Sequence, residues 1–138
     1  MKKGTNIQEI VDSFTIKVPQ FGGSINEIVQ YMKSSIAKCR RHVYDNLDFE
    51  YDPEIITGYF HDKISDSSIE FIAILMASEY WFKEFSKISA RRTYLGTQAF
   101  NKIPNNTESY NLASKNLEKW TLEAQMFSEE LPDYSEER

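Results

Sequence analysis

Ser67–Phe85, with the sequence SSIEFIAILMASEYWFKEF, is the stretch that decides the fold of this chain. Its middle part, Phe71–Ala77, carries no polar side chain over about two helical turns. The aromatic residues Tyr80, Trp81, Phe82 and Phe85 follow it. A helix that is apolar on nearly every side must be buried on most of them. The stretch therefore predicts a central helix that other parts of this chain, or another chain, must cover.

The central helix is expected to begin at Ser67, because Glu70 lies three residues further on and the two form a capping box. It is expected to end near Ser86. A separate short helix, Ala90–Leu95, should follow, with Gly96 in the left-handed conformation that commonly ends a helix. Residues 97–105 are then expected to form a loop.

The last helix is the most regular element, and Asn106 or Thr107 is its expected cap. Its apolar residues recur at alternating spacings of three and four, which is typical of a helix that packs along another long helix. Packing against the central helix is favoured over a seam between copies. This stripe consists of Tyr110, Ala113, Leu117, Trp120, Ala124, Phe127 and Leu131.

Two further helices are predicted before residue 45. Thr5 is expected to cap the first, and the Gly22-Gly23 pair separates it from the second. Ser24 and Glu27 form a capping box that opens the second helix, which is expected to run to about Arg41. Its apolar stripe consists of Ile25, Ile28, Val29, Met32, Ile36 and Cys39.

Residues 47–60 allow two interpretations. Leu47–Tyr51 alternates apolar and acidic residues, Asp52-Pro53 signals a turn, and Ile55–Phe60 favours a strand. Either a short β-hairpin or an irregular loop anchored by aromatic residues fits this pattern.

These elements predict a mainly α fold, a small helical bundle around a buried central helix, in a single domain over residues 1–138. Residues 1–23 are a candidate mobile arm, and residues 132–138 are a candidate flexible tail. The apolar run is too short to span a membrane. A net charge of −5 argues against an autonomous DNA-binding domain, and a single cysteine suits a reducing, cytoplasmic environment.

Residues that could support catalysis are few and poorly spaced. His42 and His61 lack the spacing of metal ligands, and Cys39 lies on the apolar stripe of its helix. Glu79 and Glu84 could form an acid–base pair, but they are better explained as the few solvent-facing or partner-facing positions of the central helix. The sequence therefore predicts a protein that is not an enzyme, with no catalytic residue, metal site or cofactor.

Two basic clusters remain, Lys38–His42 and Arg91–Arg92. The first is interpreted as positive charge that complements the negative end of a helix dipole. The second fits solvated surface and a contact with phosphate or an acidic partner about equally well, because a loop follows it. The candidate interface residues of the whole chain are Arg91, Arg92, Phe100, Tyr51, Tyr59 and Tyr134.

Three stretches, taken together in chain order, resemble one family. They are Ile64–Trp81, Arg92–Phe100 and the long helix Ser109–Leu131. Their order is similar to that of the small helical head–tail connector (neck adaptor) proteins of tailed bacteriophages. In these proteins a helix reading roughly E-I-x-A-x-x-M-x-x-E-W precedes a short linking helix, a Gly-x-x-x-Phe turn and a final long helix. The residues that match are Glu70, Ile72, Ala73, Met76, Glu79, Gly96 and Phe100.

The resemblance implies a structural protein of the virion neck, made in the host cytoplasm. About a dozen copies would form a ring on the portal protein and contact the next neck or tail protein. DNA would pass through the ring without sequence-specific binding. The residues leave two other interpretations open, namely a helical protein-interaction module or regulator, and a helical protein that contacts DNA through its basic clusters.

The resemblance also predicts that the charged C-terminal tail docks into the portal by folding on binding. Deletion of Ser135–Arg138 should then lower the incorporation of the chain into portal complexes. Quantitative mass spectrometry of purified complexes measures this incorporation, and a level equal to that of the full chain would contradict tail docking.

Overall fold

A computed structural model describes residues 4–131 and has the mainly α architecture that the sequence predicts. The described residues form five α-helices, a single 3₁₀ turn and one two-stranded antiparallel sheet. In chain order these are α1 Gln8–Lys17, α2 Ile25–Cys39, the 3₁₀ turn Arg40–His42, β1 Phe49–Asp52, β2 Thr57–Phe60, α3 Asp66–Leu95, α4 Thr97–Lys102 and α5 Asn106–Glu130.

The central helix α3 is longer than the sequence suggested. It continues without a break past Ser86, so the expected short helix Ala90–Leu95 is its last part and the prediction of two helices was wrong. No Gly or Pro interrupts residues 86–95, and the backbone therefore has no reason to leave the helix there. Gly96, with φ of +84°, is where the helix ends. At 30 residues, α3 is about 45 Å long.

The N-cap of α3 is Ser65, not the expected Ser67. The Ser65 hydroxyl accepts a hydrogen bond from the Ser68 amide at 3.2 Å. Asp45 Oδ2 accepts hydrogen bonds from the Ser65 amide and from the hydroxyls of Ser65 and Ser68, at 2.6–3.0 Å. A carboxylate from the preceding loop therefore joins the cap, and it places negative charge at the positive end of the helix dipole.

Three helices cover the N-terminal two-thirds of α3, as its apolar sequence requires. α1, α2 and α5 each pack against it, and the two predicted stripes on α2 and α5 face it. Phe127 of α5 stacks on Phe71 of α3 with ring centroids 5.3 Å apart. The buried residues that α3 contributes are Ser68, Phe71, Ile72, Ala73, Ile74, Met76, Ala77 and Trp81.

Residues 47–60 form the hairpin rather than the irregular loop. β1 and β2 pair in antiparallel register from Phe49 opposite Phe60 to Asp52 opposite Thr57. Phe60 is fully buried in the core, and Asn6 adds an isolated bridge beside Tyr59. The hairpin is therefore anchored at its base, while its turn points away from the core.

The described part of the N-terminal segment belongs to the core. Its helix begins at Gln8 with Ile7 as N-cap, so the prediction of Thr5 as the cap was wrong. Thr5 is buried, and its hydroxyl accepts a hydrogen bond from the Ile64 amide at 2.9 Å. Within residues 4–23, the buried apolar side chains are those of Ile7, Ile10, Val11, Phe14 and Val18.

Two other boundaries differ from expectation. Residues 97–102, expected in a loop, form the short helix α4, which is anchored by the buried Phe100. The N-cap position of α5 is Asn105, at φ of +69°, rather than Asn106 or Thr107. Asn106 is buried and donates from Nδ2 to the Phe100 carbonyl at 3.1 Å. This side chain ties α4 to the start of α5.

Within residues 4–131, no helix combines the length and the apolar character that crossing a membrane requires. The predicted flexible tail, residues 132–138, lies outside the described residues.

The cap of α3 can be tested with two alanine variants. Ser65→Ala should lower the free energy of unfolding by about 1 kcal/mol, because it removes the hydrogen bond to the Ser68 amide. Ser67→Ala, two residues away on an exposed position, is the matched control and should change it by less than about 0.5 kcal/mol. Urea denaturation measures both values, and a larger effect at Ser67 would contradict this assignment.

Candidate functional site

An open groove of about 590 Å³ is lined by side chains of α2, α3 and α5. On one wall, Glu79 Oε1 accepts hydrogen bonds from Ser34 Oγ at 2.5 Å and from Lys38 Nζ at 2.8 Å. On the other wall, the hydroxyl oxygens of Ser78 on α3 and Thr121 on α5 lie 3.2 Å apart. Phe82 also lines the groove and is 62% exposed. The groove therefore combines the apolar side chains of Phe82 and Leu117 with the paired charges of Glu79 and Lys38.

The carboxylates of Glu79 and Glu84 are each paired with a lysine. Glu79 lies 2.8 Å from Lys38 of α2, and Glu84 lies 3.4 Å from Lys87 on its own helix. Glu79 therefore links α3 to α2, whereas Glu84 makes its ion pair within α3.

Two tyrosines beside the groove belong to an aromatic cluster where α1, α2 and α3 meet. Burial raises the pKa of both Tyr31 and Tyr80, and the negative charge of Glu84 raises them further. Both phenols therefore stay neutral at physiological pH, since their ordinary pKa is already near 10. Phe14 and Phe21 complete the cluster, with ring centroids 5.4–6.5 Å apart.

The histidines and the cysteine lie apart from the groove. His42 packs edge-on against Phe71, with ring centroids 6.0 Å apart, and His61 is exposed next to the hairpin. Cys39 is fully buried, and its sulfur lies 3.6 Å from the Ile36 carbonyl oxygen. In the part of the chain that the structure describes, no three His, Cys, Asp or Glu side chains are grouped to hold a metal ion.

The structure places the candidate residues of the second basic cluster in different surroundings. Arg91 is exposed on α3. Arg92 lies over the ring of Tyr110, 4.6 Å from its centroid, and donates to its hydroxyl at 3.2 Å. Phe100 is 1% exposed and packs near the same ring, so it supports the fold of this region and is not on its surface.

The candidate tyrosines of the hairpin are both half-buried. The Tyr51 hydroxyl lies 2.6 Å from Oδ1 of Asn26, at the start of α2, and donates to it. Tyr59 lies opposite Glu50 in the hairpin and beside Asn6. Tyr134 lies outside the described residues. Tyr51 and Tyr59 therefore attach the strands of the hairpin to the rest of the fold, and the turn between the strands remains exposed.

Two projecting regions expose apolar side chains. The β tip, defined as residues 50–56, presents Ile55 and Ile56, which are 69% and 49% exposed. The helical arm, defined as residues 85–116, begins after the last buried residue of α3, Trp81. Its end, the arm tip, comprises residues 91–103. The arm tip exposes the large apolar residues Tyr94 (89%), Leu95 and Ile103.

Opposite charges accompany the two tips, a feature that the sequence analysis overlooked. Residues 43–60 contain five carboxylates and no basic residue, whereas residues 85–107 contain four basic residues and no carboxylate. A count of charge along successive segments would have found this separation. The exposed apolar residues of the tips were also missed, because their exposure depends on which side of each turn faces the core.

The turn of the β tip is strained. Ile56 has φ of +54°, in the left-handed region where β-branched residues are rare. Asp52 supports the turn by accepting from the Glu54 amide at 2.9 Å, and the Thr57 hydroxyl donates to the Ile55 carbonyl. Glycine would adopt this conformation without a steric penalty. An isoleucine that is 49% exposed at this position therefore has a conformational cost that its partial burial offsets only in part.

Comparisons of this chain with protein-family models, with curated proteins and with solved structures found no match.

The strain at the β tip can be measured with two glycine variants. Ile56→Gly should raise the free energy of unfolding by a few tenths to about 1 kcal/mol, because the relief of the left-handed conformation exceeds the freedom that glycine adds to the unfolded chain. Ile55→Gly should lower it by a few tenths to about 1 kcal/mol, since glycine at an ordinary conformation mainly adds freedom to the unfolded chain. Thermal and urea denaturation compare the two variants. Changes of equal size and sign in the free energy of unfolding of the two variants would contradict strain at Ile56.

Proposed function

We propose that this chain is a head–tail connector subunit of a tailed bacteriophage, which assembles as a ring on the portal and extends the DNA channel toward the tail. The proposal combines the resemblance of residues 64–134 to that family with the shape of the subunit. The observation that carries it is the helical arm, which projects beyond the core.

The arm has the properties of an assembly element. From residue 85 to the end of α3 it extends about 16 Å, and its two long helices are held together by Tyr110. Tyr110 contacts Phe85, Arg92 and Phe100. Because these contacts lie inside the arm, the side chains on its outer surface are available to a neighbour. A ring needs such a surface, since each subunit meets its two neighbours through different faces.

The residues that carry the resemblance occupy structural positions. Ile72, Ala73 and Met76 are buried in the core, and Phe100 is buried in the arm. Glu70 pairs with Lys17 of α1 at 2.8 Å. The pattern therefore consists of packing and turn residues rather than of a catalytic signature, and this supports a structural role.

The charge of the chain suits a DNA conduit. Tight binding to DNA depends on Lys and Arg contacts to phosphate, and these contacts would slow a duplex that moves through a channel. A chain with net charge −5 can surround DNA without holding it.

A second candidate function is a protein-interaction module or regulator, and the groove favours it. The groove is open and apolar around Phe82, so a helix of a partner could lie against it. Binding of one partner in a one-to-one complex would support this function over the connector.

The connector function can be tested by mixing the purified chain with the portal protein encoded in the same genome. Negative-stain electron microscopy should show rings of this chain stacked on the portal. Tyr94→Asp, at the arm tip, should reduce ring occupancy at least tenfold, because it places a charge in an apolar contact.

Ile16→Asp is the matched control, since Ile16 is similarly exposed but lies on α1, outside the arm. It should leave ring occupancy unchanged. Absence of stacked rings with the unaltered chain, at saturating portal, would refute the connector function.

A further inference from the structure

We infer that the β tip of one copy and the arm tip of the next copy are the two halves of a head-to-tail contact between copies of this chain. The proposal adds a specific contact to the connector function. It depends on that function only in assuming that repeated contacts close into a ring. The contact itself requires no portal.

Charge complementarity is the first argument. Glu50 and Glu54 of the β tip and Arg91 and Lys102 of the arm tip are exposed, and within residues 4–131 none of these four side chains has an ion-pair partner. No hydrogen bond joins the two tips within one chain. Each tip therefore presents unpaired charge of one sign, and the other tip supplies the opposite sign. Such complementary charges set orientation and speed association.

Matching apolar surface is the second argument. The β tip exposes Ile55 and Ile56, and the arm tip exposes Tyr94, Leu95 and Ile103. An interface commonly has an apolar centre with charges at its rim. Each tip has this arrangement by itself, with a few large apolar side chains next to charges of a single sign.

The strained turn is consistent with the contact. Residues in strained backbone conformations cluster at functional sites, where the surrounding structure holds them in place. Ile56 is still 49% exposed in the monomer, so a neighbour could bury the rest of its side chain. Insertion between Tyr94 and Ile103 of a neighbour would bury it.

A second copy of the chain accounts for the charge and the apolar surface of both tips, whereas a nucleic acid would account only for the positive charge of the arm tip. Phosphate could bind the basic arm tip, but it would be repelled by the acidic β tip. Exposed aliphatic side chains add nothing to a phosphate contact. Because the two surfaces of the proposed contact differ, repetition produces a ring or a filament rather than a closed dimer.

The contact is small, so we expect it to be weak between two free copies. Interfaces below about 1,200 Å² are characteristic of transient complexes. Repetition around a ring, or alignment on a portal, would strengthen it through effective concentration. The test must therefore detect weak association.

Charge reversal tests the pairing directly. Glu50→Lys combined with Glu54→Lys reverses the β tip, and Arg91→Glu combined with Lys102→Glu reverses the arm tip. Each double variant should weaken self-association about tenfold in sedimentation velocity at low salt. The quadruple variant should recover it, because both signs are exchanged. Glu123→Lys with Glu130→Lys is a control of equal charge change on exposed positions of α5, and it should not weaken association.

Cross-linking tests the geometry. The only native cysteine, Cys39, is fully buried, so introduced cysteines react selectively. A chain with Ile55→Cys and Tyr94→Cys should give a ladder of covalent dimers and larger species with a short bifunctional maleimide. Ile16→Cys with Tyr94→Cys is the control for random encounters, and it should give at least tenfold less product.

Three results would overturn the contact. The first is unchanged association of the reversed variants or no recovery in the quadruple variant. The second is a cross-linking ladder no stronger than the control at the highest soluble concentration. The third is loss of duplex DNA retention, without loss of self-association, when the arm tip is reversed; this would assign the arm tip to nucleic acid.

These results are separable from those of the portal experiment. Stacked rings that tolerate both reversals would keep the connector function and refute this contact. A specific ladder without any binding to the portal would keep the contact and refute the connector function.

Discussion

The structure depends on covering the apolar surface of α3. A helix without polar residues from Phe71 to Ala77 cannot face water, and one partner helix covers only one of its sides. α1, α2 and α5 share this task, and the aromatic cluster of Phe14, Phe21, Tyr31 and Tyr80 fills the space where three of the helices meet. The position of the N-terminal segment follows from this requirement, because α1 is one of the three covers.

The same constraint separates the molecule into a core and projecting parts. α3 continues beyond Trp81, where α1 and α2 no longer bury it, and within residues 4–131 the helices that accompany it there are α4 and α5. The hairpin is likewise buried at Phe60 and exposed at Ile55. Stability therefore resides in the packed region. Both tips expose apolar side chains, the β tip is acidic and the arm tip is basic, and the β tip also carries the strained residue Ile56.

Much of the fold could be predicted from periodicity and capping, and the errors have local causes. Ser65 and Ser67 are both good caps by sequence, and the choice depended on Asp45, a residue from another segment that completes the cap. Thr5 was predicted to cap the first helix, but its hydroxyl instead accepts a hydrogen bond from the Ile64 amide, which is distant in the chain. Residues 97–102 became helical because Phe100 anchors them against Tyr110. Of the candidate interface residues, Arg91 is on an accessible surface, whereas Phe100 is buried.

The sequence by itself determined the helical class, the central helix, its covering stripes on α2 and α5 and the stop at Gly96, since each depends on residues close together in the chain. Only the tertiary structure decided that 47–60 is a hairpin, that α3 runs unbroken into a projecting arm, and that the acidic and basic segments end at two separate exposed tips. The physical reason is that exposure and pairing depend on contacts between distant segments. Periodicity in Ser67–Phe85 shows that the helix must be covered, but it does not show where the cover ends.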